Sequence, residues 1–314
     1  MESNFTFNGE FSGPAVAAVL TVVMILALIA NGVVLSITLY QRKSWKQSST
    51  IFFTSLILAH LVLNLLYLPF TIIALAAGEW IFGSTDEEKT GTCIFVAFIL
   101  WFGASVITIT LAAISFDRFL FIVKPLLHKQ FMRPWVALTL TIAIWILAAV
   151  LNFWPVIHNF EHYSYNYELG YCTLVGVDIA AFIVFLVAIF FIVGTIFVTS
   201  LWTFCFTKSY FKAQSVIAGE SVYASKKKRL FGVFGSMLIV YGTSYLLTAF
   251  SFILQLFIVV PNEYYVMLTI AFPIVTIASP IIQSYFRPEI KSVLVSRCPL
   301  LFTCVCCSCV HSIC

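Results

Sequence analysis

Seven stretches of this chain stay apolar for longer than a soluble core can use. They cover about 14–40, 49–77, 91–123, 135–157, 174–206, 229–258 and 264–286. Each meets the roughly 20 residues a helix needs to cross about 30 Å of hydrocarbon. Inside lipid the backbone must pair its own polar groups, so each stretch reads as a helix. Composition agrees, since 61% of residues are hydrophobic and 10% charged, too little charge to coat a soluble domain. Neither an internal repeat nor a second domain is visible. The expectation is an all-α membrane protein, a seven-transmembrane helix bundle over 14–286.

Orientation follows from charge. Sixteen of the seventeen Lys and Arg fall in 41–48, at the end of span three with the loop after it, in 207–229, or after span seven. Only Lys89 lies opposite. Ten of the thirteen acids do the reverse, leaving Asp117, Glu220 and Glu289 on the basic side. Basic loops stay in the cytoplasm. Residues 1–13 are therefore expected outside the cell and 287–314 inside, in a multi-pass protein of the plasma membrane. The net charge of +4 reflects anchoring to anionic membrane lipid and gives no reason to expect nucleic acid as a partner. Met1–Ser12 lacks a positive n-region, so the first stretch reads as a span and not as a cleaved leader. Asn4-Phe5-Thr6 is a glycosylation sequon, consistent with an outer N-terminus.

Of nine cysteines, Cys93 and Cys172 are placed at the outer face. As the pair exposed to an oxidising compartment, they are expected to form a disulfide. Cys205 reads as a small buried hydrophobe. The tail carries Cys298, Cys304, Cys306, Cys307, Cys309 and Cys314. Their spacing lacks the two-to-four-residue gaps of paired zinc ligands. Beside Leu300, Leu301 and Phe302 they suit reversible palmitoylation better, with plain disorder as a third reading. No metal or other cofactor is expected.

Asp117-Arg118-Phe119 ends span three and is followed by Ile122-Val123-Lys124-Pro125-Leu126. Cys93 stands 25 residues before Arg118, Trp145 lies in span four and Pro155 ends it. Asn31-Gly32-Val33-Val34 lies in span one, and Ser279-Pro280-Ile281-Ile282 precedes Phe286-Arg287. In this order and spacing the chain resembles the rhodopsin-like (class A) G-protein-coupled receptors along nearly its whole length. The resemblance implies a ligand site opening outward and a heterotrimeric G protein as cytoplasmic partner. It also implies a short amphipathic eighth helix ahead of the cysteine-rich tail. The coupling and switch positions it marks are Asp117, Arg118, Phe119, Pro125, Tyr241, Tyr245, Ser279, Pro280 and Gln283. Arg118, always charged and with five donors, can pair with Asp117 at rest and be released as the bundle opens. Pro280 removes a backbone hydrogen bond and makes a hinge in span seven.

The departures are as informative. Leu58-Ala59-His60, with Pro69 nine residues on, puts His60 where the family carries a sodium-binding aspartate. Ser279 and Gln283 replace the Asn and Tyr of Asn-Pro-x-x-Tyr. Tyr241 and Tyr245 replace the Phe and Trp of the activation switch, and Leu247 stands at the proline position. A sodium ion wants oxygen ligands and negative charge, which this set does not supply. His60 is read as bonded to Asn31 or Ser279. A conformational role is weighed beside that plain core role, because ionisable residues in spans are costly and usually functional.

Leu100, 18 residues before Arg118, stands where amine receptors place an Asp. Span seven lacks the Schiff-base Lys of an opsin. The upper bundle offers Phe95, Trp101, Phe102, Asn152, Trp154, Phe182, Phe250, Gln255 and Phe257 instead. Leu100, Trp101, Phe182, Phe250 and Gln255 are the candidate ligand contacts, suited to a neutral or apolar small molecule or lipid. Ordinary aromatic packing is the plain alternative for each. His158–Tyr171, with Tyr163, Tyr165 and Tyr167 alternating, reads as a short hairpin lid that caps the site or meets a peptide. No nucleophile–base or metal constellation marks an enzyme. A receptor-like protein that no longer signals, and a proton-linked transporter using His60, are the alternatives carried forward.

Overall fold

The computed structural model describes residues 5–41, 45, 47–158, 162–175, 179–218, 250, 254 and 262–286. Eight helices and one hairpin make up these residues. They are α1 (Gly13–Tyr40), α2 (Ser48–Leu66), α3 (Leu68–Ala77), α4 (Asp86–Val123), α5 (Pro125–Phe131), α6 (Pro134–His158), β1 (His162–Asn166), β2 (Tyr171–Val175), α7 (Ile179–Ala218) and α8 (Asn262–Phe286). Six apolar spans are long enough to cross a membrane among them, α2 and α3 forming one. The expected sixth span, 229–258, lies outside the described residues except for Phe250 and Leu254, both helical. Tyr241, Tyr245, Leu247, Gln255, Phe257, the eighth helix, the cysteine tail and Asn4 lie outside them as well.

Local chemistry explains the element ends. Span two breaks at Tyr67 because Pro69 has no N–H and its ring crowds the preceding turn. Helix α4 starts at Asp86, earlier than apolar character alone suggests. The Thr85 hydroxyl caps it, accepting from Glu88 N, and Glu88 Oε2 accepts from Ser84 N at 2.7 Å. Asp86, Glu87 and Glu88 face the positive end of the helix dipole. Helix α7 runs on to Ala218, past the expected end at 206. Its backbone bonds are internal, so leaving the apolar layer does not end it, and neither Gly nor Pro intervenes before Gly219. The loop after span three folds into α5, with Pro125 at its first helical turn.

Helix α4 is the packing centre, touching α2, α5, α6, α7 and both strands, while α1 packs on α2, α3 and α8. Large apolar side chains cover the outside, among them Val22, Ile29, Ile146, Val150, Phe191 and Val198, each more than half exposed. Such a belt would aggregate in water and is a lipid-facing surface.

The outer end carries the hairpin. Its antiparallel register sets Tyr165 opposite Cys172, and Cys172 is disulfide-bonded to Cys93 of α4. The Asn166 side chain turns the chain by accepting from Glu168 N and Leu169 N. Gly170 completes the turn at φ +75°, with Leu75 and Phe7 where a Cβ would stand. Strand alternation buries Tyr163 and Tyr165 on one side, while Tyr167, in the turn, is exposed.

Candidate functional site

At the inner end of α4, Asp117 is buried and Arg118 and Phe119 are half-buried. The carboxylate has two partners from other elements. Ser48 Oγ, at the start of α2, donates to Asp117 Oδ1 at 2.5 Å, and His128 Nε2 of α5 approaches the same oxygen to 3.1 Å. A protonated His128 makes the second contact an ion pair. The His128 ring also meets Phe121 edge-on at 5.2 Å. Asp117 thereby ties α2, α4 and α5 together. Phe119 packs edge-on against Trp202 of α7, centroids 5.7 Å apart. Pro125 is exposed and opens α5. Sequence reading missed Ser48 and His128. Pro125 as a helix starter was the available clue, because a turn of helix brings His128 back toward Asp117.

In mid-bundle, Asn31, His60, Asn64, Thr276 and Ser279 are buried together at the meeting of α1, α2 and α8. Asn31 Nδ2 donates to Ala27 O at 2.8 Å and to Thr276 O at 2.9 Å. The second bond has a backbone cause. Pro280 has no N–H to give the carbonyl four residues before it, and Asn31 supplies the donor that Thr276 O lacks. Pro273, a second proline inside α8, was not singled out in the sequence; its carbonyl accepts from Thr276 Oγ1 at 2.6 Å. Asn64 Nδ2 donates to His60 O at 2.7 Å and to Thr276 Oγ1 at 3.2 Å. Gln283 lies on the last turns of α8.

His60 Nδ1 lies 3.2 Å from Asn31 Oδ1. With both Asn31 N–H groups already donated, Oδ1 is an acceptor, which assigns the proton to Nδ1. Nε2 is then a buried lone pair without a hydrogen-bond partner. Sodium would need carboxylate or several oxygens here, and the donor set is an imidazole, two carboxamides and hydroxyls. It does not fit the ion. Agonist affinity and thermal unfolding should therefore be unchanged when sodium replaces N-methylglucamine at equal ionic strength. A sodium-dependent shift in either would contradict this reading of the cluster.

Toward the outer end, Leu100 and Trp101 are partly buried against the main core, beside Phe102. Phe182 lies on the first turns of α7. Phe250 is helical and half exposed, as is Phe95. Asn152 Nδ2 donates to Ser105 Oγ at 3.0 Å, tying α6 to α4. Trp145 Nε1 donates to Ser55 Oγ at 2.9 Å and ties α6 to α2. The hairpin reaches down onto this region. The Tyr163 hydroxyl donates to Asn152 O at 2.9 Å, and the Tyr171 hydroxyl bonds Thr269 Oγ1 of α8 at 3.0 Å. Burial, helped by the charge of Glu79, pushes the Tyr165 phenol up to about 12. Burial likewise raises that of Tyr171. Both rings stay neutral at physiological pH and belong to the lid's inner face.

The N-terminal segment straps this lid in place. Phe7 N donates to Gly78 O, Asn8 N to Tyr167 O, and Trp80 N to Phe5 O, all at 2.8–2.9 Å. Phe5 is buried against Tyr165, with Lys89 Nζ 5.7 Å from its ring centroid. Nothing in the sequence signalled the strap, because its bonds use backbone groups that any residue provides.

Residues 30–312 match the family described as 7 transmembrane receptor (rhodopsin family). The chain belongs to that family. Among its relatives, the mouse D(1B) dopamine receptor is 31% identical over 153 residues, 48% of this chain and 30% of that protein. The rabbit cholecystokinin receptor type A is 30% identical over 148 residues, 46% and 33% of the two chains. The Xenopus high-affinity lysophosphatidic acid receptor is 25% identical over 135 residues, 43% and 34%. The aligned stretches thus span about a third or less of these relatives' length. Membership accounts for the apolar belt, for the ordering of motifs around Arg118 and for the bridge from α4 to the hairpin.

Proposed function

We propose that this rhodopsin-family receptor sits in the plasma membrane with its N-terminus outside, binds a neutral or apolar extracellular ligand and activates a heterotrimeric G protein. The observation that carries the coupling half is the inner end of α4. Ser48 and His128 hold the Asp117 carboxylate in place beside half-buried Arg118, which positions the acid that an arginine switch would pair with at rest. The charge asymmetry of the loops supports the orientation. So does a disulfide at the face opposite the basic loops. On that orientation Asn4 carries a glycan and the tail cysteines carry palmitate.

The relatives' names cover an amine, a peptide and a lysophospholipid, so they do not choose the ligand. The residues argue against an amine. Leu100 offers no counter-ion, and a cation buried without one loses hydration that nothing restores. A carboxylate fares as badly, because Lys89 is the one Lys or Arg of the outer side. The acidic rim favours the encounter of cations, so a basic peptide held at the mouth is the rival a ligand screen must include.

The coupling test is a panel of G-protein reporters in cells expressing wild type or Arg118→Ala at matched surface levels. Wild type should raise at least one reporter above mock, and Arg118→Ala should remove about nine-tenths of that rise, the loss of one charge-assisted contact of about 1.4 kcal/mol or more. Equal signalling by both would overturn the assignment of Arg118. A wild type that stays at the mock level under every agonist would favour the receptor-like protein that no longer signals.

A further inference from the structure

A groove that the coupling machinery above leaves unused lies on the outside of the bundle, near the inner ends of α4 and α6. It encloses about 480 Å³. Phe116 and Leu120 of α4, Leu127 and Phe131 of α5, and Val136 and Leu140 of α6 form its walls, with Gln130 the one polar side chain in the lining. Most of these side chains are well exposed, Phe131 to 55% and Phe116 to 42%. The groove therefore opens sideways toward lipid.

Its charge is one-sided. Lys124 and Arg133 bracket α5, one before and one after it, and Lys129 lies within it; all three are exposed. Between residues 116 and 140 the sole acid is Asp117, which is buried and bonded to Ser48 and His128. His128 faces that carboxylate and not the groove. No carboxylate of this segment is left to repel an anion at the groove's mouth.

We propose that this groove is a binding site for an anionic glycerophospholipid, its acyl chain lying between α4, α5 and α6 and its head group on Lys124 and Arg133. The apolar lining takes the chain. The basic rim takes the phosphate, since basic pockets at the cytoplasmic side of a bundle attract anionic head groups. Helix α5 supplies part of the lining, lies between Lys124 and Arg133, and also carries His128, which holds Asp117. A seated lipid would thus touch the helix that clamps Asp117. Assigning the site to the inner leaflet rests on the orientation proposed above; the site itself does not.

The test uses purified full-length protein in nanodiscs, where lipid reaches both faces. Photoactivatable phosphatidylserine with a diazirine on its acyl chain is compared with the matching phosphatidylcholine, and cross-links are mapped by peptide mass spectrometry. Phosphatidylserine should label peptides from 116–140 several times more than phosphatidylcholine, with about fivefold expected for each basic contact. Lys124→Gln with Arg133→Gln should bring its labelling down to the phosphatidylcholine level. Val136→Trp, a substitution at a lipid-facing position, should fill the groove and reduce labelling by both probes. Both variants should keep the wild-type thermal unfolding midpoint; Leu140→Trp replaces Val136→Trp, and the single Lys124→Gln and Arg133→Gln changes replace the double, wherever the midpoint falls. Equal labelling by the two head groups, or labelling that survives the filled groove, would overturn the proposal. A failed G-protein assay would leave this result untouched, and labelling from the outer side of oriented vesicles would reverse only the leaflet.

Discussion

Replacing Cys172 with Ala should lower stability by about 2–5 kcal/mol and keep most of the protein from the cell surface. The bridge to Cys93 spans 79 residues of sequence with Cα atoms 5.4 Å apart. Opening it frees a long loop in the unfolded chain and releases the hairpin from α4 in the folded one. Both cysteines are fully buried, so the lid loses its fixed point inside the core. The Cys93→Ala variant should match, and the double variant should be no worse than either, because each single change removes the same bond. Surface staining against total protein, with thermal unfolding in detergent, reads both effects. Normal surface levels in both single variants would show that the strap and the tyrosine contacts hold the lid unaided.

Trp80→Ala should cost about 3–5 kcal/mol, the range for emptying a buried indole. Trp80 is completely buried between spans two and three. Its ring meets Phe82 at 5.0 Å and Tyr165 at 6.3 Å, and its Nε1 donates to Thr92 Oγ1 at 3.0 Å. Its backbone N–H holds the strap through Phe5 O. One residue thus joins the N-terminal strap through its backbone, and the first outer loop, the start of α4 and the hairpin through its side chain. Trp80→Phe keeps a ring but gives up the hydrogen bond and part of the buried indole volume, so its loss should be smaller, about 1–3 kcal/mol. The unfolding midpoints of the two variants against wild type decide this. An unchanged midpoint in Trp80→Ala would mean the outer cluster adds nothing to stability.

The outer cluster also changes how the lid should be pictured. A flap over an open mouth would touch the bundle at its edges. This hairpin instead places Tyr163 on the carbonyl of Asn152 in α6 and Tyr171 on Thr269 in α8, with its disulfide on α4 between them. A ligand entering from outside must therefore displace or pass these tyrosines. Their polar ends are already engaged, apart from the Tyr165 hydroxyl, which is buried without a hydrogen-bond partner.

Residue type and spacing alone make the described helices, their membrane setting and much of the site's cast legible. Apolar stretches of this length are read as helices in lipid, six such spans stand among the described residues, and loop charge sets the expected orientation. The Cys93–Cys172 pairing, the tyrosine-rich hairpin and the contact of His60 with Asn31 were each legible from residue type and spacing. These are local signals, or elimination among few candidates. The remaining contacts depend on groups brought together from distant parts of the chain. Asn31 donates to the Thr276 carbonyl that Pro280 leaves unpaired, 245 residues away. Ser48 and His128 converge on Asp117 because α5 folds back under α4. The strap binds through main-chain amides, which carry no residue signature at all. Helix α7 outruns its apolar stretch because helical hydrogen bonds need no membrane once the helix has begun. Hydrophobicity specified which segments enter the bilayer; the pairing of polar groups inside the bundle specified how they meet, and that depends on three-dimensional proximity that no spacing along the chain encodes.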